Sequence, residues 1–416
     1  MTTDVDREQA GADERIPTRY WGWLGGTTLS LLGTQVLGFA MVWVAAGYGG
    51  GFAGLILTTI NLPRTILLLV GGAIADRFGA WRVMIVGDAS MTVVMGVFAF
   101  ALMAWGPSPA LLLVMALLIG IVDAFYIPSS GSMPRRLVPQ SLLPQAMSAR
   151  TLGSQLSAIL GGPLGAIVVG TIGLAAAASM NSASYAAMFL LLLVIRPRAS
   201  NAAPAAGPTS AVEGTLVAHA LDGLRLSVKD PLLRPALLML VGTAAFLLPV
   251  IVPLLPVLAR QQGWAPTHAG FVAGAAGIAT ATVAITVLFR GGLPRPGLAG
   301  CGGLAVAAVG ILALALQPFY AGTIVAGALV GMGTGLFSTH IGPLVLGKTP
   351  PSHLARVQAV VALAQSLPLL VTNFALGSLA QVTTASTALV LSALALVVIV
   401  GVALTSPQLR AARRPG

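Results

Sequence analysis

Twelve apolar runs dominate the chain, each about as long as the ~20 residues a helix needs to cross a hydrocarbon core. They lie at 20–46, 52–75, 82–105, 109–131, 145–169, 172–195, 235–260, 267–289, 296–316, 319–341, 354–380 and 383–405. Within lipid every backbone N–H and C=O must find its partner inside the chain. Runs of this length therefore form helices. Of the 416 residues 56% are hydrophobic and only 8% charged, against roughly 25% charged in soluble domains. The expectation is an all-α membrane protein with twelve transmembrane helices and both termini on one side. Outer connections such as Gly47–Gly51 and Gly106–Pro109 are short. So small an outer face argues against a receptor for a large extracellular ligand.

The net charge is +11. In a soluble chain that would raise the question of nucleic acid. Here position decides otherwise. Of the 22 Lys and Arg, Arg64 falls within a span and Arg260 on the outer side. The rest are assigned to inner segments, a positive-inside pattern that places both termini in the cytoplasm and the chain in the cell membrane. The basic excess is a topology signal, with contact to anionic lipid of the bilayer and no nucleic-acid partner expected. Cys301 is the single cysteine, so there is no intramolecular disulfide and no thiolate metal cluster. The start of the chain lacks the pattern of a signal peptide.

The stretch Gly72-Ala-Ile-Ala-Asp76-Arg77-Phe-Gly79-Ala-Trp-Arg82 lies between the second and third runs. It reads as an inner hairpin loop. Gly72 admits a close helix neighbour, Gly79 permits a tight turn at positive φ, and Arg77 and Arg82 hold the loop inside. Asp76 is an acid at a helix C-terminus, unfavourable for its own dipole. It calls for an outside partner. The corresponding loop of the second half, Arg290-Gly291-Gly292-Leu-Pro-Arg295, keeps glycine and arginine but has no Asp.

Few charged residues lie inside the spans. Arg64, in Asn61-Leu-Pro63-Arg64, sits roughly 18 Å above the inner end of its helix. At that depth a charge costs several kcal/mol unless paired or hydrated. Asp88 and Asp123 are acids within spans three and four; either could neutralise Arg64 or carry a proton. Asp88 favours a structural pairing, whereas Asp123 is open between function and structure. Gln35 is open between packing and a cavity. Asn373 is a further candidate for cavity polarity. His340, a side chain that titrates near neutral pH, is another candidate for the cavity or for proton coupling, though it closes span ten near the boundary and alone. Gly162-Pro163-Leu-Gly165 bends span five and lets neighbours pack against it. Span seven carries Pro249, Pro253 and Pro256, so a broken or bent helix is expected there.

The halves repeat. Phe125, Pro139, Leu142 and Gly165 recur as Phe337, Pro351, Leu354 and Gly377, each 212 positions on. This divides the chain into a tail (1–19), a six-helix bundle (20–195), a linker ending in an amphipathic helix (196–234), a second bundle (235–405) and a basic tail (406–416).

The 72–82 stretch resembles the signature loop of the major facilitator superfamily, though Ala80 stands where a basic residue is common. Leu62-Pro63, Asp88, Asp123-Ala-Phe-Tyr-Ile-Pro128, Leu137-Val-Pro139 with Leu142, Gly162-Pro163-Leu-Gly165, Asp222-Gly-Leu-Arg225 and Leu354-Ala-Arg356-Val357 are similar to the branch of macrolide-efflux proteins and the enterobactin exporter. Ala166 departs from that branch's glycine-proline motif. The resemblance implies two pseudo-symmetric bundles, alternating access, and export driven by proton antiport. It also implies that Asp76 meets the start of span eleven, beside Arg356, when the cytoplasmic side closes. No phosphate loop, metal spacing or nucleophile triad occurs. The expected partners are a moderately hydrophobic small molecule and protons, with no cofactor or metal, no enzymatic activity, and a monomeric state. Arg64 points to an anionic group on the substrate or to a counter-ion need of Asp123. Alternatives are an importer or lysophospholipid flippase of the same fold, or a non-transporting membrane sensor or scaffold.

Overall fold

A computed structural model describes residues 15–195, 230–316, 319–349 and 354–413. Twelve long helices follow one another. α1 is Thr18–Ala46, α2 Gly50–Phe78, α3 Ala80–Trp105, α4 Pro109–Ser132, α5 Leu143–Thr171 and α6 Gly173–Val194. α7 is Leu233–Gln261, α8 Pro266–Arg290, α9 Pro296–Leu316, α10 Tyr320–Lys348, α11 Leu354–Val382 and α12 Ala385–Leu404. Eleven are long and apolar enough to span a bilayer over their described residues. The remaining one, α2, is 29 residues long, or about 43 Å at 1.5 Å per residue.

The helices form two bundles. In the first, α1 packs on α5 and α6, α2 on α4, and α3 on α6. In the second, α10 packs on α8 and α9, and α12 on α9. The bundles meet along two seams, α2 against α11 and α5 against α8. Both described chain ends lie at one end of the assembly, here the terminal end. Short connections make this economical. At the opposite, far end, Ser108 Oγ caps α4 by accepting from Leu111 N at 3.3 Å, with Pro109 at the first helical position.

The sequence places a loop over 72–82, but α2 stays helical through Phe78 and the reversal is one residue long. Nothing from Gly72 to Phe78 forbids a helix. Gly79, at φ 87°, is the first residue to leave helical geometry, in a region L side chains avoid. α10 likewise continues past the expected end at 341 to Lys348, with Leu344 and Val345 buried along the extra turns. His340 is thus interior to its helix rather than at its end.

α7 is not broken. Instead it widens into two π-helical segments, Thr243–Leu247 and Val250–Leu254, on either side of Pro249. A wider turn accommodates prolines that cannot donate to the ladder. The C-terminal tail is partly helical: Pro407–Ala411 docks the buried Leu409 against Gly297 of α9. Residues 196–229 of the linker, with most of the stretch expected to form its amphipathic helix, lie outside the described residues, as does the start of the N-terminal tail.

Candidate transport cavity

The cavity begins with a close approach of two backbones. A Cβ on Gly120 of α4 would collide with the Ile60 carbonyl and sit 2.6 Å from the Pro63 ring of α2. Glycine there brings α2 and α4 together. Arg64 follows Pro63 directly, and Asp123 lies almost one turn beyond Gly120. The Arg64 guanidinium consequently donates from Nη2 to Asp123 Oδ2 as an ion pair. Asp123 is buried, whereas the Arg64 side chain stays 36% accessible. Arg64 Nε is buried without a hydrogen-bond partner.

Two cavities flank the pair. The upper one, of about 340 Å³, is lined by Gln35, Phe39, Met41, Ile56, Asn61 and Asn181, with Ile251 and Val252 from the π segment of α7 and Ala273 from α8. The lower one, of about 300 Å³, lies nearer the terminal end and is lined by Thr27, Thr28, Tyr126, Ser130, Arg150, Ser154 and Tyr185. Thr34, Gln35, Arg64 and Asp123 line both. Thr34 Oγ1 donates to Ser30 O at 3.0 Å and lies 2.9 Å from the Tyr185 hydroxyl. Polar groups thus gather around the ion pair while the upper walls stay apolar, the usual make-up of a small-molecule pocket.

Beyond the upper cavity the far end is closed. Arg260 of α7 donates from Nε to Trp43 O of α1 at 2.7 Å, with its guanidinium 4.7 Å from the Trp43 ring centroid. Gly51 N donates to Gln381 Oε1 at 3.0 Å, and Thr58 Oγ1 to Leu370 O at 3.2 Å. Among the described residues these are the hydrogen bonds that join the two bundles, and all lie in the far half. At the α2–α11 seam, Cβ atoms on Gly50 and Gly54 would strike the backbone of Gly377 and Asn373. On the other seam, Cβ atoms on Gly170 and Gly274 would come within 2.9 Å of Pro266 and 2.7 Å of Pro163.

The acids separate. Asp88 does not pair with Arg64. Fully buried on α3, it accepts a long 3.5 Å contact from the Tyr126 hydroxyl, and its Oδ1 has no partner. α3 sits outside α2 and α4, so its carboxylate meets Tyr126 rather than the cavity. Gly87 makes room for that ring, a Cβ there falling 2.9 Å from Tyr126 Cδ2.

The other expected positions scatter. Gln35 lines both cavities. Gly162 and Pro163 face α8, and Gly165 faces α1 at Val36 and Phe39. His340 and Asn373 are away from the cavity, contrary to expectation. His340 Nε2 accepts from Leu293 N at 2.9 Å and Nδ1 lies 2.8 Å from Leu336 O, which ties down the α8–α9 connection. Asn373 is buried where α11 crosses Gly54. Arg77 is exposed, its guanidinium 5.5 Å from the Phe78 ring centroid. Arg82 is exposed on α3 beside an apolar crevice shared with Phe78 and Tyr126. The placements of Gly72 and of the Asp76 and Arg356 side chains lie outside what is described. No group of three metal-ligating side chains occurs among the described residues.

Arg150 is the residue that sequence reasoning overlooked. Counted only among the inner basic residues, it also projects from the eighth position of α5 into the lower cavity. Its place inside the expected span 145–169 was the available signal. Tyr126, which joins it there, lies within the Asp123–Pro128 motif, whereas Tyr185 carries no sequence mark distinguishing it from a packing residue.

Comparison with known proteins agrees with this architecture. The family model described as Major Facilitator Superfamily matches residues 23–373. A Na(+), Li(+), K(+)/H(+) antiporter of Planococcus maritimus is 30% identical over 106 residues, 26% of this chain and 25% of the relative. Multidrug efflux pump LfrA of Mycolicibacterium smegmatis is 30% identical over 158 residues, 35% of this chain and 30% of the relative. The chain thus spans less than a third of the length of either curated relative. Among solved structures, the peptide transporter POT aligns with TM-score 0.72 at 14% identity over 100% of both chains. The nucleoside transporter NupG aligns with TM-score 0.68 at 14% identity, over 94% of this chain and 99% of that one. The D-xylose-proton symporter aligns with TM-score 0.69 at 12% identity, over 94% and 98%.

Proposed function

From the premise that this chain belongs to the major facilitator superfamily, we propose that it is a secondary-active exporter that moves a small, moderately hydrophobic molecule outward in exchange for protons. The observation that carries this reading is the Arg64–Asp123 pair set in the wall of both cavities. A membrane-buried carboxylate paired with a guanidinium is a natural proton-coupling element. A proton arriving at Asp123 cancels its charge and frees Arg64; its departure restores the pair. Substrate and proton then compete for one site, which is what antiport requires.

The partial similarity to an efflux pump and a cation/proton antiporter supports export over import. The far-end closure corresponds to a state open to the cytoplasm, where an exporter loads. The positive-inside bias supports cytoplasmic termini in a cell membrane. In the opposite state, Asp76 meets the N-terminus of α11, whose free N–H groups and dipole favour a carboxylate. Asp76→Asn then slows turnover while substrate binding is retained; normal turnover would remove the gating role.

The deciding experiment reconstitutes the protein into liposomes and imposes a pH gradient in either direction. Export predicts substrate flux against the proton flow and acidification coupled to counter-flux, both abolished in Asp123→Asn and Arg64→Ala. Gradient-independent flux, or unchanged coupling in properly folded Asp123→Asn, would refute the reading.

A further inference from the structure

The lower cavity carries an unbalanced charge. Three charged side chains line it: Arg64, Asp123 and Arg150. Arg64 and Asp123 neutralise one another. Arg150 stands opposite no carboxylate among the described residues. Asp88 meets the Tyr126 hydroxyl at 3.5 Å and is not among the residues lining the cavity. The Arg150 guanidinium is half-buried against the cavity wall and needs compensation there. Water supplies part of that, but the walls of the cavity also hold donors short of acceptors. Thr27 Oγ1 and Arg64 Nε, both on residues lining it, are buried donors without acceptors. Both facts call for the same complement, an acceptor bearing negative charge.

We propose that the lower cavity is the subsite for a carboxylate on the substrate, held by Arg150 and by the face of Arg64 that Asp123 leaves free, while the apolar remainder of the molecule extends into the upper cavity along Phe39, Ile56 and Ile251. This inference rests on the transporter reading and names its substrate class as an anionic amphiphile. Guanidinium is suited to the role because its planar fork matches a carboxylate with two parallel hydrogen bonds. Arg64 contributes through the part of its guanidinium that stays accessible.

The test uses the full chain in lipid nanodiscs and three probes sharing one aromatic body: a naphthyl carboxylic acid, its methyl ester, and the corresponding primary amine. Affinities are read by tryptophan fluorescence, with empty nanodiscs subtracted. The carboxylate should bind at least about 10-fold tighter than the ester or the amine, as a charge-assisted bidentate contact allows. Arg150→Gln should bring the carboxylate down to the level of the ester. Arg150→Lys, which keeps the charge but not the fork, should retain part of the preference and so separates loss of charge from loss of fold. Equal or tighter binding of the ester or amine, failure of the carboxylate to bind, or an undiminished preference in Arg150→Gln would overturn the assignment. Proton-driven flux of the ester in liposomes holding the same protein would leave the transporter reading standing even then.

Discussion

Arg260 closes over Trp43 with two contacts at once, a 2.7 Å hydrogen bond to its carbonyl and a guanidinium 4.7 Å from its ring. The residues belong to different bundles, so the contact exists only while the far end is shut. Charged hydrogen bonds and cation–π contacts contribute about 1–3 kcal/mol each. Losing them shifts a two-state equilibrium by about 10-fold or more. Arg260→Gln should therefore populate the state open at the far end. A cysteine placed at Phe39, in a background where Cys301 is replaced by serine, would report this through labelling by a membrane-impermeant maleimide added outside. Labelling should rise about 10-fold. An unchanged rate would mean that the seams alone hold the closure.

Glycines at the seams and within a bundle make the same close approach but have different consequences. A side chain on Gly54 would strike the Asn373 carbonyl of the opposite bundle, and one on Gly331 the Ala276 carbonyl of its own. Gly54→Val should leave both bundles folded and block far-end closure, lowering turnover by at least about 10-fold while raising outside labelling. Gly331→Val separates two helices that must stay packed in every state. Overpacking of this kind costs about 1–3 kcal/mol or more. The expected result is reduced folded yield in detergent size-exclusion, not altered labelling. Similar yields for the two variants would contradict the division into moving and static contacts.

Helix positions were legible because bilayer thickness imposes a length on each apolar run, and that signal needs no partner. The turn at Gly79 was legible for a related reason: positive φ is a local property. Partners were not. Asp88 and Asp123 lie at comparable depth in adjacent helices, and what separates them is helix azimuth. α4 meets α2 through Gly120, while α3 packs outside against α6. Depth can be counted along a chain; azimuth follows from packing between helices. The same limit hid Arg150, whose distance along α5 was plain but whose direction was not. Prolines in α7 left a third ambiguity, since a break and a π-widened helix satisfy the same sequence.

The separation of the acids yields a prediction that distinguishes their roles. Asp123 is tied to Arg64, and removing its charge strands a guanidinium in the membrane interior. Breaking a buried pair from one side costs about 3–5 kcal/mol. Restoring neutrality with Arg64→Met together with Asp123→Leu should recover most of the thermal stability lost in Asp123→Leu alone, but not proton-coupled flux, because no titrating group remains there. Asp88 makes one long contact and leaves an oxygen unsatisfied. An amide offers two donors in place of a poorly solvated carboxyl, so Asp88→Asn should keep its unfolding midpoint within a few degrees and retain coupled flux. Differential scanning fluorimetry and pH-gradient flux on the same proteoliposome batches check both. Loss of coupling in Asp88→Asn with coupling intact in Asp123→Asn would exchange the two roles and move the proton site from the cavity wall to the α3–α4 interface behind Tyr126.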